Sequence, residues 1–371
     1  MPLNILYDAQ IFRQQRYGGI SRYFCELAPR VARAEGAAAC ILAPRHRNAY
    51  LRDVCSEVVV GWYSGRTSRP SWPHALAMQA TQHFTVARFK PDIVHETYFF
   101  GPQLQAPRAL RVLTIHDMIH ERFPTLFQAD NRDAKAKREA ALRADHVLCI
   151  SESTRRDVMN ILGLPASKLT VTHLSASLRP TAVDGPSGTK ERPYLLYVGE
   201  RGGYKNFQGL LAAMRGSALL AELQLLCFGG GPLNEDEWAA VDRLGLQRTR
   251  ITQRGGDDTT LAALYAGALC FVYPSLYEGF GIPPLEAMQC GCPVACSNTS
   301  SIPEVVGEAC VYFDPAQPDS IRHALEQVVG SETLRAELRA RGHRQAQNYS
   351  WDRCAETTLK VYRGLLGAGT G

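Results

Sequence analysis

Residues 274–286 read Pro-Ser-Leu-Tyr-Glu-Gly-Phe-Gly-Ile-Pro-Pro-Leu-Glu, directly after the apolar run Cys270-Phe-Val-Tyr273. A short apolar run rich in aromatic and β-branched residues reads as a buried strand. The chain then turns through Gly279 and Gly281 into a helix led by Pro283 and Pro284. Proline suits that place because its fixed φ and missing N–H fit a first helical turn. A strand, a glycine turn and a helix in succession leave backbone N–H groups aimed at an anion, and the helix dipole adds to the attraction. The amides of Gly279, Phe280, Gly281 and Ile282 are therefore candidate phosphate ligands. Glu278 and Glu286 flank this cradle with seven residues between them. Carboxylates accept hydrogen bonds from hydroxyls, so the string suits a ligand that carries phosphate between two sets of hydroxyls, those of a sugar and those of a ribose. Taken singly, each glutamate reads as a helix cap or a surface acid.

Outward from this stretch, short apolar runs alternate with amphipathic ones, the pattern of βαβ units on a parallel sheet. Strands are expected at 4–7, 39–42, 93–96, 112–115 and 147–150, with helices at 21–34 and 154–162. Residues 182–192, Ala-Val-Asp-Gly-Pro-Ser-Gly-Thr-Lys-Glu-Arg, are polar and rich in turn formers, and read as a linker. The pattern then restarts, with strands at 194–198, 223–228, 250–252, 270–273 and 293–297 and helices at 207–214, 260–266 and 284–289. The expected organisation is one α/β domain over 1–180, a second over 193–350, and a last helix over 351–366, within a segment 351–371 that packs back toward the first domain.

Bulk properties narrow the classes. With 371 residues, 45% hydrophobic and 21% charged, the chain has room for two ordinary cores. No apolar run approaches the roughly 20 residues of a membrane helix, and Asp8 interrupts the first one, so a secretory leader is not expected. Eleven cysteines, an odd number spread along the chain, suit a reducing, cytoplasmic setting. Cys290, Cys292 and Cys296 lack the second pair and the histidines of a zinc site, so no metal is assigned. Residues 1–180 carry 24 basic against 15 acidic side chains, net +9, and residues 181–371 carry 17 against 21, net −4. A basic first half fits an anionic partner as well as it fits a plain solvated surface. No helix-turn-helix, finger or RNA-binding pattern points to nucleic acid.

On these motifs the chain resembles the retaining glycosyltransferases of family 4, with the two-Rossmann-domain GT-B fold. The likeness rests on the Glu278-to-Glu286 string and on Tyr197-Val-Gly-Glu-Arg-Gly-Gly-Tyr-Lys-Asn206. It extends to Gly291-Cys-Pro-Val294 and Ser300-Ser-Ile-Pro-Glu-Val305, and more loosely to Tyr17-Gly-Gly-Ile-Ser-Arg-Tyr23, Thr114-Ile-His-Asp117 and Ile150-Ser-Glu-Ser153. The resemblance implies parallel sheets facing across a central cleft, with a domain closure; it makes 1–180 the acceptor-binding domain and 193–350 the nucleotide-sugar-binding domain. It puts Arg201 and Lys205 on the donor diphosphate, Glu278 on the sugar hydroxyls and Glu286 on the ribose. Gly18 and Gly19 would lie against the donor, and His116 would contact the transferred sugar or steady charge near its anomeric carbon. Asp117 and Ser151 are weaker candidates, the latter equally a helix N-cap.

No D-x-D triplet occurs in the chain, so the diphosphate is expected to be held without a metal ion and no cofactor is assigned. The expected reaction passes an oxocarbenium-like state with front-face attack; a double displacement through Glu278 is the alternative. The donor expected first is GDP-mannose or a related GDP-deoxyhexose, ahead of a UDP-sugar. The expected acceptor is a glycan or lipid-linked glycan of O-antigen, capsule or exopolysaccharide assembly. Residues 130–145, with Lys135, Lys137, Arg138 and Arg143, and the loop 13–22 are the expected contacts with an anionic inner membrane face; a plain exposed helix reads equally from the first. Competing readings are an epimerase, a phosphorylase or a non-catalytic nucleotide-sugar binder of the same fold. A dinucleotide dehydrogenase is disfavoured because no G-x-G-x-x-G follows either first strand.

Overall fold

The computed structural model describes residues 2–52, 54, 57–64, 72–100, 103–127, 132–178 and 192–367. The chain divides into two units, Met1–Leu174 with Trp351–Gly371, and Ser175–Ser350. The stretch read as a linker, 182–192, lies outside the described residues except for Arg192.

The first unit runs β1 (Leu3–Tyr7), α1 (Gln10–Gln14), α2 (Gly19–Arg33), β2 (Ala37–His46), β3 (Val59–Tyr63), α3 (Trp72–Phe89), β4 (Ile93–Glu96) and β5 (Leu110–Ile115). It continues with α4 (Ile119–Arg122), α5 (Arg132–Arg143), β6 (His146–Cys149), α6 (Glu152–Asp157) and β7 (Leu169–Val171). Its strands form one parallel sheet in the order β3-β2-β1-β4-β5-β6-β7. The second unit runs β8 (Tyr194–Val198), α7 (Phe207–Met214), α8 (Ala218–Ala221), β9 (Gln224–Phe228), α9 (Glu235–Arg243), β10 (Ile251–Arg254) and α10 (Asp258–Gly267). It goes on through β11 (Cys270–Tyr273), α11 (Ile282–Gln289), β12 (Val294–Ser297), α12 (Ile302–Val306), β13 (Val311–Phe313), α13 (Pro318–Gly330) and α14 (Glu332–Ala346). Its parallel order is β10-β9-β8-β11-β12-β13. The last helix, α15 (Trp351–Gly367), belongs to the first unit.

Both units are Rossmann-like, as the alternation of runs implies. Helices cover both faces of each sheet, so central strands are apolar throughout: every residue of β4, β6, β11 and β12 is buried. Each sheet winds outward from its first strand on one side and then returns to build the other. The order therefore reverses between β1 and β4, and again between β8 and β11. At such a reversal the connections leave in opposite directions and open a crevice at the carboxyl ends of the strands, the place where open α/β sheets take ligands.

Helix α15 is fastened to the first unit by polar contacts. Arg30 Nε donates to Asp352 Oδ1 at 2.8 Å, and Arg363 donates to the Glu35 carbonyl at 2.8 Å. The Tyr362 hydroxyl lies 2.6 Å from His95 Nδ1 and 3.4 Å from the Tyr7 hydroxyl, all fully buried.

Candidate active site

In the second unit the reversal falls between β8 and β11, and the loops that leave these strands are the two motifs that carry the sequence reading. They are tied together. Leu276 N–H donates to the Tyr204 carbonyl at 2.8 Å, and Asn206 Nδ2 donates to the Pro274 carbonyl at 3.1 Å and the Pro315 carbonyl at 2.7 Å. Lys205 Nζ donates to Glu278 Oε1 at 2.7 Å, with the two side chains 18% and 10% exposed, so a cation and a carboxylate meet at the rim of the crevice. The Lys205 ammonium also lies over the rings of Tyr204 and Tyr273, at 5.2 and 5.7 Å from their centroids. Burial, and after it the Glu278 charge, raises the Tyr273 hydroxyl pKa, so this tyrosine is neutral.

The loop 274–281 is braced from beneath by a second strand end. Ser300 accepts from Glu278 N–H at 2.9 Å, and Ser301 donates to the Glu278 and Phe280 carbonyls at 2.9 and 2.8 Å. Ser300 holds φ 54°, a left-handed conformation that costs a non-glycine residue energy and that surrounding contacts must maintain. Gly281 caps α11 with φ 111°, which a side chain rarely adopts. Pro283 and Pro284 start the helix but also remove two N–H groups from its first turn. Of the cradle's donors, the amides of Gly279, Phe280, Gly281 and Ile282 precede the prolines. Glu286 is buried on α11, and its charge contributes, after burial, to the raised pKa of Tyr265 on α10.

Arg201 does not take the place expected of it. Its guanidinium is 2% exposed and turned into the protein. Nε donates to Glu237 at 2.9 Å, Nη1 to the Gly229 carbonyl at 3.1 Å, and Nη2 to the Gly230, Gly231 and Pro232 carbonyls at 3.1, 2.9 and 3.0 Å. Those glycines turn sharply, with φ between 65° and 81°, and expose carbonyls that one planar fork can gather. Arg201 therefore fastens the loop after β9 to the loop after β8. The physical reason is that the glycine turn supplies acceptors nearer than any crevice ligand, and the buried charge has a carboxylate partner in Glu237.

In the first unit the reversal lies between β1 and β4. Asp8, which follows β1, accepts from Thr97 N–H at 3.0 Å and Thr97 Oγ1 at 2.6 Å, and so joins the ends of the two strands. Burial raises the Asp8 pKa despite these bonds. Sequence reading passes over Asp8 and Thr97, although an acid directly after the first apolar strand is a signal of this kind. His116 follows β5 next door. Its ring lies 5.2 Å from Tyr23 and 6.3 Å from Phe24, and its Nε2 is buried without a hydrogen-bond partner. Burial lowers its pKa to about 4. His116 is thus a neutral imidazole at pH 7, able to bond a hydroxyl or to turn a lone pair toward positive charge.

The paired glycines divide their roles. A Cβ on Gly18 would collide with the Gln15 side chain, whose Oε1 accepts from Ser21 N–H at 3.1 Å and caps α2. A Cβ on Gly19 would meet nothing within 4 Å, so the open approach is at Gly19. Asp117 receives Lys137 Nζ on its carbonyl at 3.0 Å, and Ser151 is the N-cap of α6, accepting from Thr154 N–H at 3.0 Å. The basic face expected on α5 is reduced for the same reason as Arg201. Lys137 is buried against Glu121 at 2.9 Å, and Arg143 pairs with Glu96 at 2.8 Å, so of the four named residues Lys135 and Arg138 are the exposed ones.

Residues 184–345 match the family described as "Glycosyl transferases group 1", and residues 17–175 that described as "Glycosyltransferase Family 4". The chain is 34% identical over 300 residues to "O-antigen chain mannosyltransferase B" of Escherichia coli, covering 76% of this chain and 77% of that protein. It is 30% identical over 323 residues to "Serotype-specific mannosyltransferase WbdA" of Escherichia coli, covering 78% of this chain but 39% of that longer protein. Sucrose-phosphate synthase from Thermosynechococcus elongatus shares the fold, with a TM-score of 0.74 at 19% identity over 98% of this chain and 99% of that one.

Proposed function

We propose that this chain, which belongs to glycosyltransferase family 4 and is a glycosyltransferase, moves a mannosyl group from GDP-mannose, or a related GDP-deoxyhexose, to a glycan or lipid-linked acceptor. The setting is O-antigen or related polysaccharide assembly, and the anomeric configuration is retained. The sugar is drawn from the two mannosyltransferases it most resembles among those above. The observation that carries the chemistry is the Lys205–Glu278 pair at the β8/β11 reversal, 2.7 Å apart beside the Gly279–Ile282 amides.

Each group has a task that its chemistry suits. Lys205 and the amides of Gly281 and Ile282 offset the charge that grows on the departing diphosphate; fixed donors of this kind act on the transition state without reorganising. Glu278 accepts from hydroxyls of the transferred sugar, and its bond to Lys205 holds its carboxylate in place. Glu286 accepts from the ribose. His116, neutral and with Nε2 unspent, exchanges a hydrogen bond with a sugar hydroxyl. The leaving diphosphate takes the acceptor's proton as the new bond forms on the face the leaving group vacates. No metal ion is assigned a part.

A thermal-shift series with GDP, UDP, ADP and their sugar conjugates, with and without EDTA, tests this. A ligand that binds the folded state raises its melting temperature. A GDP or GDP-mannose shift that survives EDTA is expected. A shift given by UDP-sugars alone would replace the donor, a shift lost with EDTA would replace the metal-free mechanism, and no shift with any nucleotide would refute the reading.

A further inference from the structure

We propose that His95, which takes no direct part in the site, is a positioning residue: with Tyr362 and Thr114 it holds the Tyr23 ring against His116 and so fixes the aim of that imidazole. The inference rests on the part given to His116 above.

Four buried side chains from four elements of the first unit form one polar chain. The Tyr362 hydroxyl, on α15, lies 2.6 Å from His95 Nδ1 on β4. His95 Nε2 lies 2.8 Å from Thr114 Oγ1 on β5, and Thr114 Oγ1 lies 3.2 Å from the Tyr23 hydroxyl on α2. A neutral imidazole has one donor and one acceptor nitrogen, and burial keeps His95 neutral. The hydrogen bonds therefore run through it in a single direction, and no hydroxyl can turn unless its neighbours turn with it. Apolar side chains would fill this layer without desolvating three hydroxyls and an imidazole. What a bonded polar network adds is one rigid arrangement.

Tyr23 is where that arrangement meets the site. Side chains two residues apart along a strand point to one face, so Thr114 and His116 are within reach of the same α2 residue. Tyr23 spans both, with its hydroxyl on Thr114 and its ring edge-to-face with His116, centroids 5.2 Å apart at 81°. Phe24 backs the group, 4.7 Å from the Tyr23 ring and 5.1 Å from that of His95. Helix α15 reaches Tyr23 twice, through the chain from Tyr362 and directly through the Trp351 ring at 6.2 Å. Among the described residues His116 Nε2 has no hydrogen-bond partner. Its aim is set by these rings, and the rings are held by the chain.

The test uses the full chain, with GDP-mannose as donor and a methyl α-mannobioside as acceptor. Thr114→Val keeps the shape and breaks the chain at its middle; Thr114→Ser restores the bridging hydroxyl; Tyr362→Phe breaks the chain at its far end. Tyr7→Phe is the control, because it removes an equally buried hydroxyl, 3.4 Å from that of Tyr362, and leaves the bond to His95. Thr114→Val and Tyr362→Phe are expected to lower kcat about tenfold with the donor KM unchanged, since moving a reacting contact by about 1 Å costs up to about 10². Thr114→Ser and Tyr7→Phe should keep kcat. On a His116→Ala background Tyr362→Phe should cost nothing more, because the contact it adjusts is gone. In a chain labelled with 15N-histidine, the His116 ring signals, assigned by their loss in His116→Ala, should move in Thr114→Val and Tyr362→Phe and stay in Tyr7→Phe. The two breaks lie at different points, so either one carries the test if the other variant does not fold. Unmoved His116 signals, an equal loss of kcat in Tyr7→Phe, an additive loss on His116→Ala, or full kcat in His116→Ala itself would each overturn the proposal. Ring signals that follow the chain in a wild type that transfers nothing would leave the positioning standing and sink the transferase reading.

Discussion

Lys205 and Arg201 stand four residues apart on one loop, yet the structure gives them different work, and paired substitutions separate the two. At 2.7 Å and an effective dielectric near 20, the Lys205–Glu278 pair attracts by about 6 kcal/mol before desolvation is counted. Most of that is offset by the water both groups give up. Lys205→Met is therefore expected to lower stability by only about 1–3 kcal/mol, roughly 2–10 °C in a unit of this size. Its larger effect should fall on transfer, where losing one fixed stabiliser of the leaving group costs about 10²–10³ in kcat/KM. Lys205→Arg, which keeps the charge, should recover part of it. Arg201→Met strips a buried guanidinium from Glu237 and four carbonyls. It should cost about 3–5 kcal/mol of stability, and the surviving folded fraction should be nearly normal in kcat. The assays are calorimetric melting and steady-state transfer on the same preparations. Wild-type kcat/KM in Lys205→Met, or a stable Arg201→Met that binds nucleotide diphosphate poorly, would refute the division of roles.

Two further outcomes are expected. Burial lowers the His95 pKa to about 3 and that of His116 to about 4, whereas in the unfolded chain each titrates near 6.5. Because the folded values are the depressed ones, this contribution to stability is whole above about pH 6.5 and is lost as the pH falls from there toward 4 and 3. His95 alone accounts for about 3 kcal/mol by pH 4.5. Urea midpoints should therefore drop between pH 7 and 4.5, and His95→Gln should flatten the drop; an unchanged slope in that variant removes the assignment. If the remaining exposed cations of α5 meet an anionic bilayer, Lys135→Gln with Arg138→Gln should weaken cosedimentation with phosphatidylserine vesicles about thirtyfold, at about 1 kcal/mol per residue. Cosedimentation equal to wild type would show that α5 faces water.

The second unit was the more legible of the two, and its local signals say why. Strands 194–198 and 270–273 and helix 207–214 each meet glycine, proline or asparagine at one end or both in the sequence, and the structure bounds them at the same residues. In the first unit β3 escapes a pattern reading because Gly61 and Trp62 are exposed on an edge strand, so its run is not apolar. Helix α3 escapes for the opposite reason. Trp72, Leu76 and Phe84 are 76%, 55% and 70% exposed, so its apolar residues do not mark one buried face. Site residues read from separate stretches are drawn together where their loops leave neighbouring strands, as Lys205 and Glu278 are. They were misread where a partner distant in sequence decides the outcome, as with Glu237 for Arg201 and Glu96 for Arg143.

The two reversals also argue for a division of chemistry that neither motif shows alone. Both crevices arise from the same winding rule, and in each an acidic side chain stands where the chain leaves a central strand: Asp8 after β1 and Glu278 after β11. What differs is the partner. Glu278 is met by an ammonium, with backbone amides alongside, so that crevice presents positive charge and fixed donors and favours a diphosphate. Asp8 is met by a hydroxyl, an amide and a main-chain N–H, and the lining around it, Gln82 included, is mainly of amides and apolar side chains, with the Arg13 guanidinium facing the Asp8 carboxylate. A lining of amides holds hydroxyls, whereas a nucleotide diphosphate entering it would lose solvation and meet a single guanidinium that already faces Asp8. Placing a surplus positive charge there, as in Gln82→Lys, should therefore convert the first crevice into a second, unproductive nucleotide site. The predicted signature is substrate inhibition by the donor at high concentration with an unchanged donor KM, and simple saturation kinetics in that variant would show that the neutrality of the cleft has no part in keeping the two ligands apart.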